Sequence, residues 1–271
     1  MSAAVGEHGV RWRLGPPADR TRTAMLIGIL GDVHGNLEAL QAAVERLRSE
    51  GVQTWLQVGD LVGYGADPEA AIRTVREIGC QVCLGNHDAA VVGYLDTDYF
   101  NPYARAAIEW TRGQLSPESL DYIRGLPLVV EHEEFTLVHG SQHLPDRFGY
   151  VFSPVEAAES MAHQATPITF VGHSHVPAAY LQRPGRDLHD LDVVFEAEFE
   201  VTIGEAERAL LNVGSVGQPR DEDPRAAVAL YDTDTRRARI VRVPYDIQAA
   251  QAKIRAAGLP TVLADRLALG V

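Results

Sequence analysis

Short apolar runs and amphipathic stretches alternate in the first part of the chain. Residues 25–30 form a continuous apolar run, typical of a strand buried on both faces, and residues 52–58 and 81–84 are predicted to form the next two strands. Two helices are predicted between them, one capped by Asn36 and one capped by Asp67 with a proline at its first position. This β-α-β-α-β order predicts a parallel sheet with right-handed crossovers.

Strands predominate in the second half of the chain. Helices are predicted over 103–115, 117–124, 154–164, 247–257 and 261–269. The strands predicted in this half are residues 128–130, 135–138, 168–171, 178–181, 193–199, 209–213, 227–231 and 238–243. A first half of alternating helices and strands, followed by a strand-rich half, favours two sheets that pack together with helices outside them.

The first 24 residues differ from the rest of the chain. They contain four arginines and two adjacent prolines without a sustained apolar period, so residues 1–24 are predicted to be a disordered extension. They lack the apolar stretch of roughly 7–15 residues that a signal peptide needs. Because no repeat or linker interrupts residues 25–271, that segment is predicted to form one domain.

The composition is that of an acidic protein with enough apolar material for a full core. Of the 271 residues, 46% are hydrophobic and 23% are charged, and 24 Lys+Arg against 37 Asp+Glu give a net charge of −13. This balance argues against binding to duplex nucleic acid, which needs a basic footprint, and against an anionic membrane surface. With 2 cysteines and no apolar run of the ~18 residues that span a bilayer, the chain is predicted to be cytoplasmic.

Metal-ligating side chains follow the ends of the predicted strands. Five such blocks occur in the sequence: Asp32-Val33-His34, Gly59-Asp60, Gly85-Asn86-His87-Asp88, His139-Gly140 and Gly172-His173-Ser174-His175. In an open α/β sheet, ligands bind outside the carboxyl ends of the strands. All five blocks are therefore expected at one edge of the fold.

The types of donor atom in these blocks indicate a transition-metal site. Oxygen donors come from Asp32, Asp60 and Asn86, and nitrogen donors come from four histidines: His34, His139, His173 and His175. Mixed nitrogen and oxygen ligands without a thiolate suit Mn²⁺, Fe, Zn²⁺ or Co²⁺ better than Mg²⁺ or Ca²⁺ alone. Seven candidates exceed what one ion with an open position takes, and a carboxylate shared between two ions explains the number.

In their order and composition, the five blocks resemble the calcineurin-like metallophosphoesterase superfamily, in particular its small bacterial phosphodiesterases. The family pattern is Asp-x-His, Gly-Asp, Gly-Asn-His-Asp/Glu, His and Gly-His-x-His, and every block stands in this sequence. The resemblance covers residues 25–243 and includes residues 212–221, which are similar to a segment of small bacterial members. It implies an α/β fold of four layers, α/β/β/α, with two mixed β-sheets packed as a sandwich and flanked by helices.

Carried over residue by residue, the resemblance implies a binuclear metal centre. One ion would be held by Asp32, His34, Asp60 and His175. The other would be held by Asp60, Asn86, His139 and His173, so that Asp60 is the bridge. The expected cofactors are two divalent transition-metal ions, Mn²⁺ first, with Fe, Zn²⁺, Co²⁺ or Ni²⁺ as alternatives. His87 is not needed as a ligand and is the predicted catalytic residue, which protonates the leaving oxygen.

The activity that the resemblance implies is metal-dependent hydrolysis of a phosphate ester in a small substrate. The two ions would polarise the phosphoryl oxygens and lower the pKa of a bridging water, which attacks as hydroxide. Phosphodiesters are the first choice of substrate, and phosphomonoesters, nucleoside polyphosphates and phosphoproteins are alternatives. A noncatalytic scaffold with the same fold is the alternative from another class.

The sequence departs from one branch of this superfamily. In protein phosphatases and symmetrical diadenosine tetraphosphatases, an Asp-Arg-Gly element follows Gly-Asp, whereas Leu61-Val62-Gly63 stands here. The aspartate that would orient His87 and an arginine that grips phosphate are thus missing from this position. The departure argues against those two activities.

A few side chains outside the ligand set are candidate substrate contacts. His143 follows His139 by four residues, at the same predicted edge, and is equally compatible with an exposed loop. Arg147 and Tyr64 are weaker candidates of the same kind. The sequence leaves the oligomeric state open, a homo-oligomer included.

Overall fold

The computed structural model describes residues 2–6, 9–13, 25–205 and 207–271. The strands among these residues, numbered in chain order, are β1 (Ser2–Gly6), β2 (Gly9–Arg13), β3 (Leu26–Leu30), β4 (Thr54–Gln57), β5 (Gln81–Val82), β6 (Val129–Glu131), β7 (Phe135–Val138), β8 (Ile168–Val171), β9 (Ala178–Gln182), β10 (Leu191–Val194), β11 (Phe199–Thr202), β12 (Arg208–Asn212), β13 (Ala226–Asp232) and β14 (Arg237–Val243). The α-helices are α1 (Leu37–Ser49), α2 (Pro68–Glu77), α3 (Asn86–Val91), α4 (Pro102–Gln114), α5 (Pro117–Arg124), α6 (Pro154–Ala162), α7 (Ile247–Ala256) and α8 (Thr261–Asp265). Within the described part of the chain, every helix falls short of the length and apolarity that a bilayer span requires.

The strands form two mixed sheets. The larger sheet has the order β1-β2-β6-β7-β8-β12-β9-β10, and the smaller sheet has the order β11-β14-β13-β3-β4-β5. The strands β3, β4 and β5 are parallel to one another, and so are β7, β8 and β12. These two parallel groups carry the predicted ligand blocks at their carboxyl ends.

Alternation along the strands divides the core into layers. In β3, Ile27 and Ile29 pack between the two sheets, where Phe135 and Phe170 of the larger sheet meet them. The alternate residue Leu30 packs outward against α1 and α2. On the far side, α6 packs against the larger sheet. The predicted four-layer α/β/β/α architecture is therefore confirmed.

Most of the predicted helices form where the pattern placed them. The Asn36 side chain accepts a hydrogen bond from Ala39 N and caps α1, and Ser116 caps α5 in the same way. Asp67 stands at the predicted N-cap position of α2, but its side chain makes no cap hydrogen bond, and its carboxylate binds Lys253 Nζ at 2.8 Å instead. The carboxylate oxygen that would accept a hydrogen bond from the backbone N–H groups at the start of α2 accepts one from Lys253 instead.

The strand predicted over 193–199 is also wrong. Those residues form the end of β10, at the edge of the larger sheet, and the start of β11, at the edge of the smaller sheet. Residues 195–198 connect the two sheets. Period and composition do not distinguish one long strand from two that follow each other into different sheets.

The N-terminal extension is partly ordered into strands. β1 and β2 pair in antiparallel fashion, and β2 runs parallel to β6. This pairing at the open edge of β6 gives the backbone of both segments partners that no apolar period reveals, and the disordered extension predicted over residues 1–24 stays a prediction. Residues 14–24 lie outside the described residues, so the domain boundary at residue 25 stays a prediction.

Candidate metal centre

The seven predicted ligands come from loops of both sheets. Asp32 and His34 follow β3, Asp60 follows β4, and Asn86 begins α3 directly after β5. The larger sheet contributes the remaining ligands, which follow β7 and β8: His139, His173 and His175. All seven side chains are buried. The carboxyl ends of the two parallel groups therefore meet at one site on the seam between the sheets.

The ligand atoms converge into two groups. The first group contains Asp32, His34, Asp60 and His175, and the second contains Asp60, His139 and His173; within each group the atoms lie within 4.8 Å of one another. Asn86 extends the second group, because its Oδ1 lies 2.9 Å from His139 Nε2. Asp60 belongs to both groups. The structure thus brings together the same two sets that the resemblance implies.

The imidazoles of His34 and His175 show that the first group fits a cation. Their Nδ1 atoms donate hydrogen bonds to the carbonyl oxygens of Val62, at 3.1 Å, and of Gln218, at 2.6 Å. Burial lowers the pKa of both histidines well below the usual value, so both rings are neutral and carry a lone pair on Nε2. These two Nε2 atoms lie only 3.1 Å apart. Facing lone pairs repel unless a cation lies between them.

The buried carboxylates of Asp32 and Asp60 also favour a positive charge beside them. Burial raises the pKa of Asp32 to about 8, although the charge of His139 opposes this. Burial disfavours the imidazolium form of His139, but the Asp60 carboxylate outweighs that effect and raises the pKa of His139 to about 9. His139 Nε2 lies 3.3 Å from Asp60 Oδ2. The buried Asp/His clusters are thus suited to divalent metal ions, which compete with protons for the same nitrogen.

Backbone conformation is unusual at the ligands. Five of them have a left-handed φ, between 40° and 68°: Asp32, His34, Asp60, His173 and His175. This conformation costs about 1–3 kcal/mol for each non-glycine residue and clusters at functional sites. The fold therefore holds these side chains in strained turns that direct them to a common point.

Two glycines make room for the carboxylates. A Cβ atom on Gly85 would overlap the carboxylate of Asp60, and a Cβ on Gly172 would overlap that of Asp32. The carboxylates also accept backbone hydrogen bonds, Asp60 Oδ1 from His87 N at 2.8 Å and Asp32 Oδ1 from His173 N at 3.0 Å. The predicted Gly-Asn-His-Asp and Gly-His-x-His blocks thus hold carboxylates as well as contributing ligands.

Asp88 has a structural role that the ligand pattern did not indicate. Its buried carboxylate accepts hydrogen bonds from the backbone N–H groups of Leu61, Val62 and Gly85, at 3.1–3.2 Å. These bonds tie the loop after β4 to the start of α3. Asp88 therefore fixes Asp60 and Asn86 relative to each other.

His87 lies at the site without being part of either ligand group. Its ring packs 4.4 Å from the ring of Tyr64 and 5.0 Å from that of Phe100, measured between centroids. Within the described residues its Nδ1 is buried without a hydrogen-bond partner. Burial lowers the pKa of His87 to about 4. Ring packing thus orients His87 in place of the missing aspartate.

A cavity of about 320 Å³ opens beside these residues. Its lining includes Asn86, His87 and His173 and the predicted substrate contact Arg147. The other predicted contact, His143, lies elsewhere: it lines a groove of about 200 Å³ together with His163, and its Nδ1 is 2.9 Å from His163 Nε2. The structure brings Tyr64 and Arg147 to the cavity and leaves His143 outside it.

Sequence reasoning missed Arg220, which lies in the segment 212–221. Its guanidinium carbon is 5.8 Å from the centre of the Tyr64 ring, and its charge acts on the buried carboxylate of Asp32. This segment resembles one in small bacterial members of the superfamily. No rule of sequence spacing, however, connects an arginine after β12 to candidate ligands after β3. Only the topology brings them together.

Comparison with known proteins agrees with this site. A model described as the calcineurin-like phosphoesterase superfamily domain matches residues 25–236. An uncharacterized protein of Methanocaldococcus jannaschii is 34% identical over 249 residues, which are 90% of this chain and 98% of that protein. A metallophosphoesterase crystal structure from Sphaerobacter thermophilus is similar with a TM-score of 0.80 and 39% identity, over 92% of this chain and 100% of that one. The symmetrical bis(5'-nucleosyl)-tetraphosphatase of Psychromonas ingrahamii is 31% identical over 114 residues, 41% of this chain and 41% of that protein.

Proposed function

Since the chain belongs to the calcineurin-like phosphoesterase superfamily and is thereby a phosphoester hydrolase, we propose that it cleaves small phosphodiesters with two divalent transition-metal ions, Mn²⁺ first among them. The observation that carries this proposal is the pair of buried donor groups that share Asp60. A carboxylate common to two groups suits two neighbouring ions better than one.

The ligands proposed for the first ion are Asp32, His34, Asp60 and His175, and those for the second are Asp60, Asn86, His139 and His173. When bound, such ions supply Lewis acidity to a phosphoryl group and activate a water molecule. The chain's own part is to fix the donors. The strained turns and the backbone hydrogen bonds to both carboxylates support this role.

We propose His87 as the general acid that protonates the leaving oxygen. The ring is at the cavity and outside both donor groups, which leaves its nitrogen atoms free for substrate. With its pKa lowered to about 4, the free imidazole is mostly unprotonated at neutral pH. A general acid must carry a proton, and we expect the negative charge of a bound phosphate to raise the pKa of His87. The rings of Tyr64 and Phe100 keep the imidazole in place while the proton moves.

Nucleoside polyphosphates are a second candidate class of substrate. The cavity has aromatic side chains at its mouth: Tyr99 is 79% exposed, and Tyr150 is 45% exposed with its ring stacked 3.8 Å from that of His173. Exposed aromatic faces can stack on a nucleobase. The relative from Psychromonas ingrahamii is named for such a substrate. Diesters remain the first choice, because Leu61-Val62-Gly63 replaces the Asp-Arg-Gly element of those tetraphosphatases.

A screen of the purified protein tests both classes. The protein is stripped with a chelator, reloaded with Mn²⁺ and assayed on bis(p-nitrophenyl) phosphate, p-nitrophenyl phosphate and diadenosine tetraphosphate. We expect hydrolysis to depend on the metal and the diester to be cleaved fastest. A protein that binds less than one ion and hydrolyses none of the three would instead be a scaffold, which would overturn the proposal.

A further inference from the structure

Arg220 is a cation near the candidate metal centre, and within the described part of the chain it forms no ion pair with a carboxylate. Its side chain is partly buried, and its Nη2 donates to Gln218 Oε1 at 2.8 Å. Within the described residues its Nε is buried without a hydrogen-bond partner, while the hydroxyls of Tyr64 and Tyr150, which are neutral groups, hydrogen-bond to the guanidinium. A buried donor left unpaired is costly, so its presence needs a reason.

A second positive charge lies near Arg220, so the surroundings of Arg220 favour the binding of an anion. Arg266 is a second half-buried guanidinium nearby: burial lowers its pKa, and the charge of Arg220 lowers it further. The ring of Tyr64 lies alongside, with the guanidinium carbon of Arg220 at 5.8 Å from its centre. Both positive charges act on Tyr64, which lines the cavity, and an anion bound there would relieve the repulsion between the two guanidinium groups.

The position of Arg220 is coupled to a predicted metal ligand. Arg220 N donates to the carbonyl of His175 at 3.3 Å, and the carbonyl of Gln218 accepts from His175 Nδ1 at 2.6 Å. The side chain of Gln218 in turn holds the guanidinium. One short turn therefore fixes both a ligand of the first donor group and the arginine.

The other side of this turn is anchored in the core. Arg242 of β14 is fully buried, and its Nη2 binds the carboxylate of Asp221, the residue after Arg220. Arg242 Nη1 also donates to the carbonyl of Arg225 at 3.1 Å. The chain from 220 to 225 is thus held firmly, as a group that must meet a substrate requires.

We propose that Arg220 binds the phosphoryl oxygens of the substrate beside the metal ions, as a specificity residue of the proposed phosphodiesterase. An arginine offers two parallel N–H donors that match a phosphate in geometry and charge. Arg220 then provides, from the loop after β12, the kind of phosphate contact for which residues 61–63 hold no arginine. The role of Arg220 in hydrolysis rests on the proposed function. Its role in binding phosphate does not.

The experiment compares three variants of the Mn²⁺-loaded full chain. Arg220→Gln removes the charge, and Arg220→Lys keeps the charge but loses the paired donors. Arg73→Gln is the matched control, because Arg73 is 65% exposed and forms an ion pair with Glu77 at 3.9 Å, outside both donor groups. The dissociation constant of inorganic phosphate is measured by calorimetry, kcat/KM on the diester by assay, and metal content by elemental analysis.

We expect Arg220→Gln to weaken phosphate binding by about 10–100-fold, the range for a lost hydrogen bond to a charged group, and to lower kcat/KM similarly with both ions retained. Arg220→Lys should fall between the wild type and Arg220→Gln, and Arg73→Gln should match the wild type. Phosphate binding by Arg220→Gln at the wild-type affinity would overturn the inference.

Two further outcomes separate this inference from the proposed function. If Arg220→Gln lost metal or failed to fold, Arg220→Lys with both ions bound would decide, and an unchanged affinity for phosphate in that variant would overturn the inference. If the wild type hydrolysed no phosphoester but its phosphate binding required Arg220, the proposed function would fail and the binding role would stand.

Discussion

At the scale of the residue, Asp60 is the side chain on which both donor groups depend. Its Oδ2 lies 3.6 Å from His34 Nε2 and 3.3 Å from His139 Nε2, and these imidazoles belong to different groups. Removing one ligand from a single site should release one ion, whereas removing a shared ligand should weaken both. This difference makes the shared role of Asp60 testable.

We predict that Asp60→Ala lowers the occupancy of both ions and abolishes activity. Elemental analysis after dialysis against dilute Mn²⁺ measures the metal content per chain. Asp98→Ala is the control, because that aspartate is 79% exposed and pairs with Arg105 at 3.2 Å, outside both donor groups. Two ions retained in Asp60→Ala would show that Asp60 is not the bridge.

His87 allows a separate test of proton donation. Replacing it with Asn should leave both ions bound, since neither donor group includes it, and should slow hydrolysis of diesters with poor leaving groups by ~10²–10⁴-fold. The loss should be much smaller for a p-nitrophenolate leaving group, because that anion is stable without protonation. Equal losses on both substrate types would contradict a general acid and point to a role in binding phosphate.

The convergence of the seven candidate ligands was predictable from sequence because each follows a strand and carries a metal-ligating atom. The role of Arg220 was not predictable, although this residue lies within the segment 212–221 that resembles other members of the superfamily. An arginine after a strand is ordinary in sequence. Its meaning depends on the close approach of the loop after β12 to the loop after β3, where Gly217 N donates to the carbonyl of Asp32 at 2.9 Å.

At the scale of the element, the tight turns after the strands matter as much as the ligands that they carry. Gly85 precedes α3 with an ordinary φ of −95°, so its conformation would tolerate a side chain. What excludes a side chain is space, because a Cβ there would overlap Asp60. The glycine is required by close packing rather than by backbone freedom.

We therefore predict that Gly85→Ala destabilises the protein by about 1–3 kcal/mol, as overpacking does, and lowers metal occupancy by displacing Asp60. Gly113→Ala is the matched control, because no atom lies within 4 Å of a Cβ at that position in α4. Alanine there should stabilise the helix by about 0.5–1 kcal/mol. Chemical denaturation and elemental analysis measure the two effects, and wild-type metal content in Gly85→Ala would contradict the packing role.

Element prediction succeeded where a period was long and failed where it was short. The 13 residues of α1 give more than three turns with a clear cap, and the shorter α5 has a clear cap at Ser116, so their positions followed from the pattern. The six residues of α3 are too few for a period, and their first turn consists of site residues. β10 and β11 were predicted as one strand because local composition does not show that the chain passes from the larger sheet to the smaller sheet between them.

At the scale of the whole molecule, the site lies on the seam between the two sheets. Asp32, His34, Asp60 and Asn86 come from the smaller sheet, and the other three ligands come from the larger sheet. The sequence predicted that all the blocks lie at the carboxyl ends of strands. How the two sheets face each other depends on the apolar packing between them, which no motif specifies.

Because each donor group takes ligands from both sheets, bound ions would cross-link them and stabilise the folded state. At a free Mn²⁺ concentration of 100 times the dissociation constant, one site adds about 2.7 kcal/mol, which for a chain of this size raises Tm by about 5–10 °C. We predict a shift of at least this size between chelated and Mn²⁺-loaded protein in scanning calorimetry. The shift should disappear in Asp60→Ala.

The control for this prediction is the surface pair of His143 and His163, which can also attract transition metals. His163→Ala removes that pair, whose nitrogen atoms are 2.9 Å apart, without touching either donor group. The shift in Tm should survive in His163→Ala, because both donor groups at the seam remain intact in that variant. If His163→Ala removed the shift, the ions that raise Tm would bind at the surface pair, and the proposed ligand sets would be wrong.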